Sequence, residues 1–218
     1  MKKYLALPAM ILVLSACEKG PIDYSIQITN LTHDQPLSPP AAMMHDSNFE
    51  AWTIGTPASE AVEYLAEGGD ASHLLALEKR ASKYAANAPL LPGESISFTL
   101  KSHHRFQRHL TLAGMLVNTN DAFSGINAME LDDLKLGHNR VVYTYALDAG
   151  TEANSELAGT IPGPADGGEG FNAVRDDVTS LVTYHGGVVS HDDGYTSSVL
   201  TESHRFDGPV LRVEITAM

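Results

Sequence analysis

Short stretches in which apolar and polar residues alternate recur along most of this chain, and this pattern restricts its fold more than any other feature. Tyr24, Ile26 and Ile28 alternate with polar neighbours. A period of two is typical of a β-strand with one buried face. The sequence therefore predicts an antiparallel β-sandwich. Further strands are predicted over residues 95–100, 111–117, 128–134, 141–147, 178–184 and 210–215.

Helical signals are confined to one segment near the start of the chain. Thr56 followed by Pro57 is typical of an N-cap with proline at the first helical position. A helix is therefore predicted over residues 56–66 and a second one over residues 73–86. The predicted fold class is all-β with a helical insertion.

Residues 1–16 are predicted to be a signal peptide and not part of the folded domain. A short basic start is followed by an apolar stretch, residues 5–14, which is too short to cross a bilayer as a helix. The small residues before Cys17 are typical of a bacterial lipoprotein signal, in which the cysteine is lipidated and becomes the new N-terminus. We therefore predict lipidation at Cys17. The alternative is an ordinary secretory peptide that is cut nearby and leaves Cys17 as a free thiol.

The position of Cys17 also indicates how the mature chain is organised. It is the only cysteine, so no disulfide can form within the chain. Residues 17–23 are predicted to be a tether and residues 24–218 one folded domain. Glu18 stands where an inner-membrane retention signal usually carries aspartate. The expected location is thus the bacterial envelope, at the outer membrane on its periplasmic or surface face.

The charge of the chain limits the class of partner. The formal net charge is −13 at pH 7, and a strongly acidic surface repels the phosphates of nucleic acid. Nucleic acid is therefore not expected as a partner. The expected partners are the membrane, through the lipid anchor, and a protein or glycan ligand in the envelope or outside the cell.

Two acidic segments follow predicted strands. Asp121 comes shortly after the strand at residues 111–117, and Asp148 and Glu152 come directly after the strand at residues 141–147. If these strands are the first and third of an up-down-up meander, both segments lie at the same end of the sheet. Oxygen ligands without histidine or cysteine favour calcium over zinc or copper. Aspartate and asparagine also stabilise turns for backbone reasons alone, so these residues leave both interpretations open.

Several stretches resemble the spondin N-terminal domain, a family of animal extracellular proteins and bacterial lipoproteins. The clearest are residues 115–125 (MLVNTNDAFSG) and 147–152 (LDAGTE), with further agreement over residues 37–40, 60–73 and 200–210. The chain is therefore identified as similar to a bacterial lipoprotein member of this family. The resemblance covers nearly the whole of the predicted mature chain.

The resemblance implies a C2-like antiparallel β-sandwich with a calcium ion between loops at one end. It assigns the metal carboxylates to Asp121, Asp148 and Glu152. Animal members usually have aspartate at the third position, so Glu152 is a departure from the family pattern. The chain also lacks the cysteines of the animal domains. The resemblance implies a non-catalytic binding or adhesion module, without carrying over adhesion to animal matrix.

Two other functions are open at this level. A carbohydrate-binding module would need exposed aromatic residues near the metal, and Phe123 and Tyr195 are the candidates. A metal-dependent hydrolase would need an open coordination position and a general base beside it, and the sequence has no motif typical of one. We therefore expect no enzymatic activity. The segment at residues 191–194 (HDDG) is interpreted as a turn and not as a second cation loop.

Overall fold

The computed structural model describes residues 20–103, 107–173 and 180–218. The predicted signal peptide and the predicted lipidation at Cys17 lie outside the described residues. Within the described ranges, no helix is long and apolar enough to span a bilayer.

The described residues form ten strands and two short α-helices. The strands are β1 (Ile22–Asn30), β2 (Ala41–His45), β3 (Ser82–Ala85), β4 (Ser95–Ser102), β5 (His109–Met115), β6 (Ala122–Glu130), β7 (Asn139–Thr144), β8 (Leu147–Asp148), β9 (Thr183–Tyr184) and β10 (Leu211–Ala217). The helices are α1 (Glu60–Gly68) and α2 (Ser72–Leu77).

The strands form two antiparallel sheets. One has four strands in the order β4-β1-β10-β7, and the other has six in the order β3-β2-β5-β6-β8-β9. Apolar side chains from both sheets share one buried cluster, to which Ile26, Leu112 and Val213 contribute. The predicted all-β sandwich with a small helical insertion is therefore confirmed.

A second buried cluster covers the outer face of the six-stranded sheet. Val62 and Leu65 of α1 pack there with Trp52, Met43 and Phe123. As a result β2 is buried on both faces, which removes the alternation that identifies a half-buried strand. For that reason a local pattern predicts no strand in this segment.

The helix predictions are wrong in their bounds. The first helix begins at Glu60 after the N-cap residue Ser59 and ends at Gly68. The C-cap residue Gly69 has a left-handed φ of +67°. The second helix ends at Leu77, and residues 82–85, predicted as helix, form β3 instead. Pairing with the edge of β2 outweighs the weak helix propensity of this stretch.

The predicted meander is also altered. Residues 141–147 do not form one strand, because β7 pairs with β10 in the four-stranded sheet and the chain then crosses to β8, which pairs with β6. The third strand of the meander is therefore the short β8. The strand predicted over residues 128–134 begins earlier, at Ala122. The strand predicted over residues 178–184 is reduced to β9, and its residues 178 and 179 lie outside the described ranges.

The predicted tether at residues 17–23 is too long by two residues. Ile22 and Asp23 already belong to β1, where they pair with Ser102 and Lys101 of β4. The carbonyl oxygen of Gly20 accepts a hydrogen bond of 3.0 Å from the Arg108 guanidinium. The fold therefore begins close to the predicted anchor.

Candidate metal centre

The first acidic segment is a tight turn between β5 and β6. The Thr119 hydroxyl donates to the Leu116 carbonyl at 2.6 Å and accepts from the Ala122 amide at 3.0 Å. The Leu116 amide in turn donates to the Ala122 carbonyl at 2.8 Å. These bonds fix the turn so that Asp121 lies directly before β6, at the end of the sheet where β8 also finishes.

Asp121 is fully buried, and only one of its carboxylate oxygens has a partner within the described ranges. Its Oδ2 accepts hydrogen bonds from the Thr151 amide at 2.9 Å and the Glu152 amide at 3.2 Å. Its Oδ1 is buried and accepts none from the described residues. A buried carboxylate oxygen without a donor costs folding free energy unless a positive group, such as a bound cation, interacts with it.

The surroundings of Asp121 are electrostatically unfavourable for a carboxylate. Burial, and then the negative charges of Asp148 and Glu67, raise the pKa of Asp121 to about 7, although the Thr151 and Gly150 amides act in the opposite direction. Negative groups gathered in a dry site repel one another unless a cation joins them. The site therefore has the charge expected of a cation-binding position.

Asp148 lies half-buried at the end of β8 and is held by its own loop. Its Oδ1 accepts from the Gly150 amide at 2.7 Å, and its Oδ2 accepts from the Asn154 side chain at 2.6 Å. Gly150 has a φ of +69°, and a Cβ there would lie 2.8 Å from the Leu181 carbonyl oxygen. Glycine is therefore required for the loop to turn back towards Asp121.

The third predicted ligand is placed differently. Glu152 is 5% exposed, and its main-chain amide, as given above, donates to Asp121. Asp121 and Asp148 are thus brought together through their side chains, whereas Glu152 joins Asp121 through its backbone. In the described part of the chain, no three histidine, cysteine, aspartate or glutamate side chains form a metal-binding group. A cation at Asp121 and Asp148 therefore needs main-chain, amide or water oxygens as well, which calcium accepts readily.

Sequence reasoning missed Glu67 as a residue of this region. It lies at the end of α1, it is fully buried, and its charge is one of those that raise the pKa of Asp121. Its neighbours Leu65 and Ala66 are also buried. The available signal was an acidic residue among the buried positions of an amphipathic helix, which by itself does not indicate a ligand.

The asparagines of the first acidic segment have structural roles. Asn118 accepts from the Ala165 amide at 3.0 Å, and Asn120 accepts from the Glu156 amide at 3.2 Å. Asn120 also donates to the Thr160 hydroxyl at 3.1 Å. These side chains attach the long loop after β8 to the end of the sandwich. Their amide oxygens therefore already accept hydrogen bonds from main-chain amides.

The other sequence candidates can now be placed. Phe123 is fully buried and packs edge-on against Trp52, so it cannot contact a sugar, and that part of the carbohydrate hypothesis is wrong. Tyr195 is 37% exposed. Residues 191–194 form a short 3₁₀ turn in which Asp193 accepts from the Ser190 amide and pairs with Arg205. The interpretation of this segment as a turn is confirmed.

The fold and the arrangement of its loops define a class, an antiparallel β-sandwich with acidic segments gathered at one end. The family model described as Spondin_N matches residues 28–160, which include all three predicted carboxylates. The chain therefore belongs to the spondin N-terminal domain family, a family of extracellular-type domains. No curated protein matches the sequence.

Proposed function

We propose that this chain is a calcium-binding, lipid-anchored protein of the bacterial envelope that acts as a non-catalytic binding module. The observation that carries the calcium proposal is the buried Oδ1 of Asp121, which accepts no hydrogen bond from the described residues and lies in a region made acidic by Asp148 and Glu67. Calcium takes about six to eight oxygen ligands and tolerates irregular geometry. Asp121 and Asp148 would hold the ion, and the family resemblance adds Glu152.

The burial of the site supports a structural role for the ion. Asp121 has no exposed surface, so a substrate could not reach a cation held by it without a rearrangement of the turn. The ion would instead neutralise the loops after β5 and β8 and tie them together. Because calcium binds the folded form and not the unfolded chain, it would also stabilise the fold.

The position of the predicted anchor supports an orientation in which the acidic loops face away from the membrane. Gly20 is bound to Arg108 at the start of β1. At the other end of β1, Asn30 donates to the carbonyl of Gln35, whose side-chain amide donates to the Asn118 carbonyl in the first acidic segment. β1 has nine residues and spans about 30 Å. A lipid at Cys17 would therefore leave the acidic loops at the end of the sandwich away from the membrane.

The calcium part of the proposal is tested by equilibrium dialysis of the full-length protein against radioactive calcium after removal of metal with a chelator. We expect saturable binding to the wild type and loss of that binding in Asp121→Asn, which keeps the size of the side chain but removes its charge. Asp46→Asn is the matched control, because Asp46 caps a turn directly after β2, at the opposite end of β5 from Asp121. Absence of saturable binding to the wild type would refute the calcium proposal.

The anchor part of the proposal is tested by fractionation of cells that produce the protein. We expect the wild type in the membrane fraction with an acylated N-terminal peptide, and Cys17→Ser in the soluble fraction. A wild-type N-terminal peptide without acyl mass, together with unchanged fractionation of Cys17→Ser, would contradict the lipoprotein assignment.

A further inference from the structure

A groove runs along the margin between the two sheets, beside the acidic end. Its central cavity has a volume of about 420 Å³ and is lined by Tyr145, Tyr184 and Phe206. A second cavity of about 260 Å³ shares Tyr145 and Tyr184, and a third of about 320 Å³ shares Phe206 and Asp207. We call these three adjoining cavities the aromatic groove. The central volume lies in the range of ligand sites in proteins, which is about 300 to 1,000 Å³.

The groove exposes more aromatic surface than the fold requires. Tyr184 is 66% exposed, Tyr145 is 52% exposed and Tyr143, in the second cavity, is 53% exposed. By contrast, Tyr24 in the core is fully buried. Exposed tyrosines gathered along a cavity are typical of binding surfaces, since a rigid ring offers an apolar face together with a polar hydroxyl.

The groove has a fixed polar wall. The Nδ1 atom of His185 accepts from the Gly187 amide at 3.0 Å, so its Nε2 carries the proton and donates to the Asn154 side-chain oxygen at 3.2 Å. The His185 ring lies 5.3 Å from the ring of Phe206. Because the ring is held on both sides, this wall is formed before any ligand arrives, which reduces the entropy cost of binding.

The charged residues that line the groove restrict the charge of the ligand. Asp207 is exposed in the central cavity, and Glu202 and Arg205 line the third. Arg205 is paired with Asp193 at 2.8 Å, so the remaining lining charges are negative. Anionic ligands are therefore disfavoured, and a neutral ligand with several hydroxyl donors suits carboxylate and main-chain acceptors.

We propose that the aromatic groove binds a neutral oligosaccharide. The rings of Tyr145 and Tyr184 pack against the C–H faces of pyranose units, and Asp207 accepts hydrogen bonds from sugar hydroxyls. This proposal rests on the proposed function, because it names the ligand of the binding module. An extended peptide is the rival ligand, because β7 is an edge strand of six residues and residues 142–144 line the second cavity. The exposed tyrosine rings and the negative lining favour the neutral sugar, and the test below includes the peptide.

The groove also lies at the end of the sandwich away from the predicted anchor. Tyr145 follows Thr144, which pairs with Leu211 at the start of β10, and Leu211 pairs with Asn30 at the end of β1. This is the end of β1 away from Gly20 and the predicted anchor. A glycan in the surroundings of an anchored protein can therefore reach the groove.

The test uses the full-length protein, extracted in a detergent without a sugar headgroup, against hexasaccharides of glucose, mannose, xylose and N-acetylglucosamine by isothermal titration calorimetry. We expect at least one to bind. Tyr184→Ala and Tyr145→Ala should each weaken that binding by about tenfold or more, whereas Tyr184→Phe retains it. Tyr195→Ala is the matched control, because Tyr195 is exposed but lines none of the three cavities. Its affinity should stay within about twofold of the wild type.

Three results would overturn the proposal. One is no binding of any hexasaccharide by wild-type protein whose thermal melt is cooperative. The second is equal weakening by Tyr184→Ala and Tyr195→Ala. The third is Tyr184-dependent binding of an extended peptide library without glycan binding, which would assign the groove to peptides. Calcium binding is measured on the same preparations, so loss of glycan binding with intact calcium binding refutes only the groove.

Discussion

The two ends of the six-stranded sheet both bury polar side chains, but they satisfy them in different ways. At the start of β5, His45 donates from Nδ1 to the Asp46 carbonyl at 2.7 Å and accepts at Nε2 from the Thr111 hydroxyl at 2.8 Å. Thr111 in turn accepts from the Ala128 amide at 2.9 Å. At the other end, Asp121 keeps one buried oxygen without a donor among the described residues.

We call the end of the sheet that contains His45 and Thr111 the neutral end. Its hydrogen bonds stabilise an irregularity in the pairing of β5 with β6. Between Leu110 and Leu112 the pairing of β5 with β6 shifts register, and Ala128 in the bulge has a φ of +47°. The Thr111 hydroxyl satisfies the amide of that residue, which stabilises the bulge. His45 and Thr111 are thus satisfied by hydrogen bonds within the protein, whereas Asp121 at the acidic end has a carboxylate oxygen that accepts none from the described residues.

The largest expected effect is on the neutral end. Thr111→Val keeps the shape of the side chain but leaves the Nε2 atom of His45 and the amide of Ala128 without their partner. We expect a loss of about 3 kcal/mol of unfolding free energy, because each buried unpaired group costs about 1 to 3 kcal/mol. Urea denaturation measures this loss, which should be the same in calcium and in chelator.

The matched control for that variant is Thr29→Val, because the Thr29 hydroxyl contacts only the exposed Ser95 hydroxyl among the described residues. We expect it to change stability by less than about 1 kcal/mol. Equal losses in both variants would show that the hydrogen-bonded chain at His45 has no special role.

A smaller effect is expected on pH dependence, with opposite signs at the two ends. Burial raises the pKa of Asp121 to about 7, so in chelator this group contributes stability below pH about 4 that is lost as the pH rises through about 7. Burial lowers the pKa of His45, so its contribution is present above its ordinary value of 6.5 and is lost as the pH falls below it.

Denaturation of metal-free protein across this pH range measures both contributions. Asp121→Asn should remove the loss of stability on the alkaline side, and His45→Gln should remove the loss on the acid side. A wild-type and an Asp121→Asn curve of the same shape in chelator would contradict the electrostatic account of the acidic end.

Sequence reasoning predicted best the strands that have one face in the core. β1 and β10 alternate because solvent covers their other face, and their buried residues agree with the pattern. β2 was missed because the helical insertion covers its outer face, and β3 was mistaken for helix because its partner is distant in sequence. These features depend on packing between segments, which a local pattern does not contain.

The residues of the candidate site were likewise predicted only where a local pattern was sufficient. The direction of consecutive strands was enough to predict that Asp121 and Asp148 lie at one end of the sheet. Glu67 was not predicted, because it reaches this region from α1 across the outer face of the sheet. The aromatic groove was not predicted either, since Tyr145, Tyr184 and Phe206 are distant in sequence and line one cavity only in the folded chain.

The central claim is that the acidic end is completed by calcium, and thermal denaturation of chelator-treated full-length protein tests it most directly. Calcium at about a hundredfold excess over its dissociation constant should stabilise the wild type and the control Asp46→Asn by about 2.7 kcal/mol. Asp121→Asn should gain little from calcium, and in chelator it should be at least as stable as the wild type, because it lacks the buried charge. A wild-type melting temperature that is the same in calcium and in chelator, in protein shown to be metal-free, would contradict the claim.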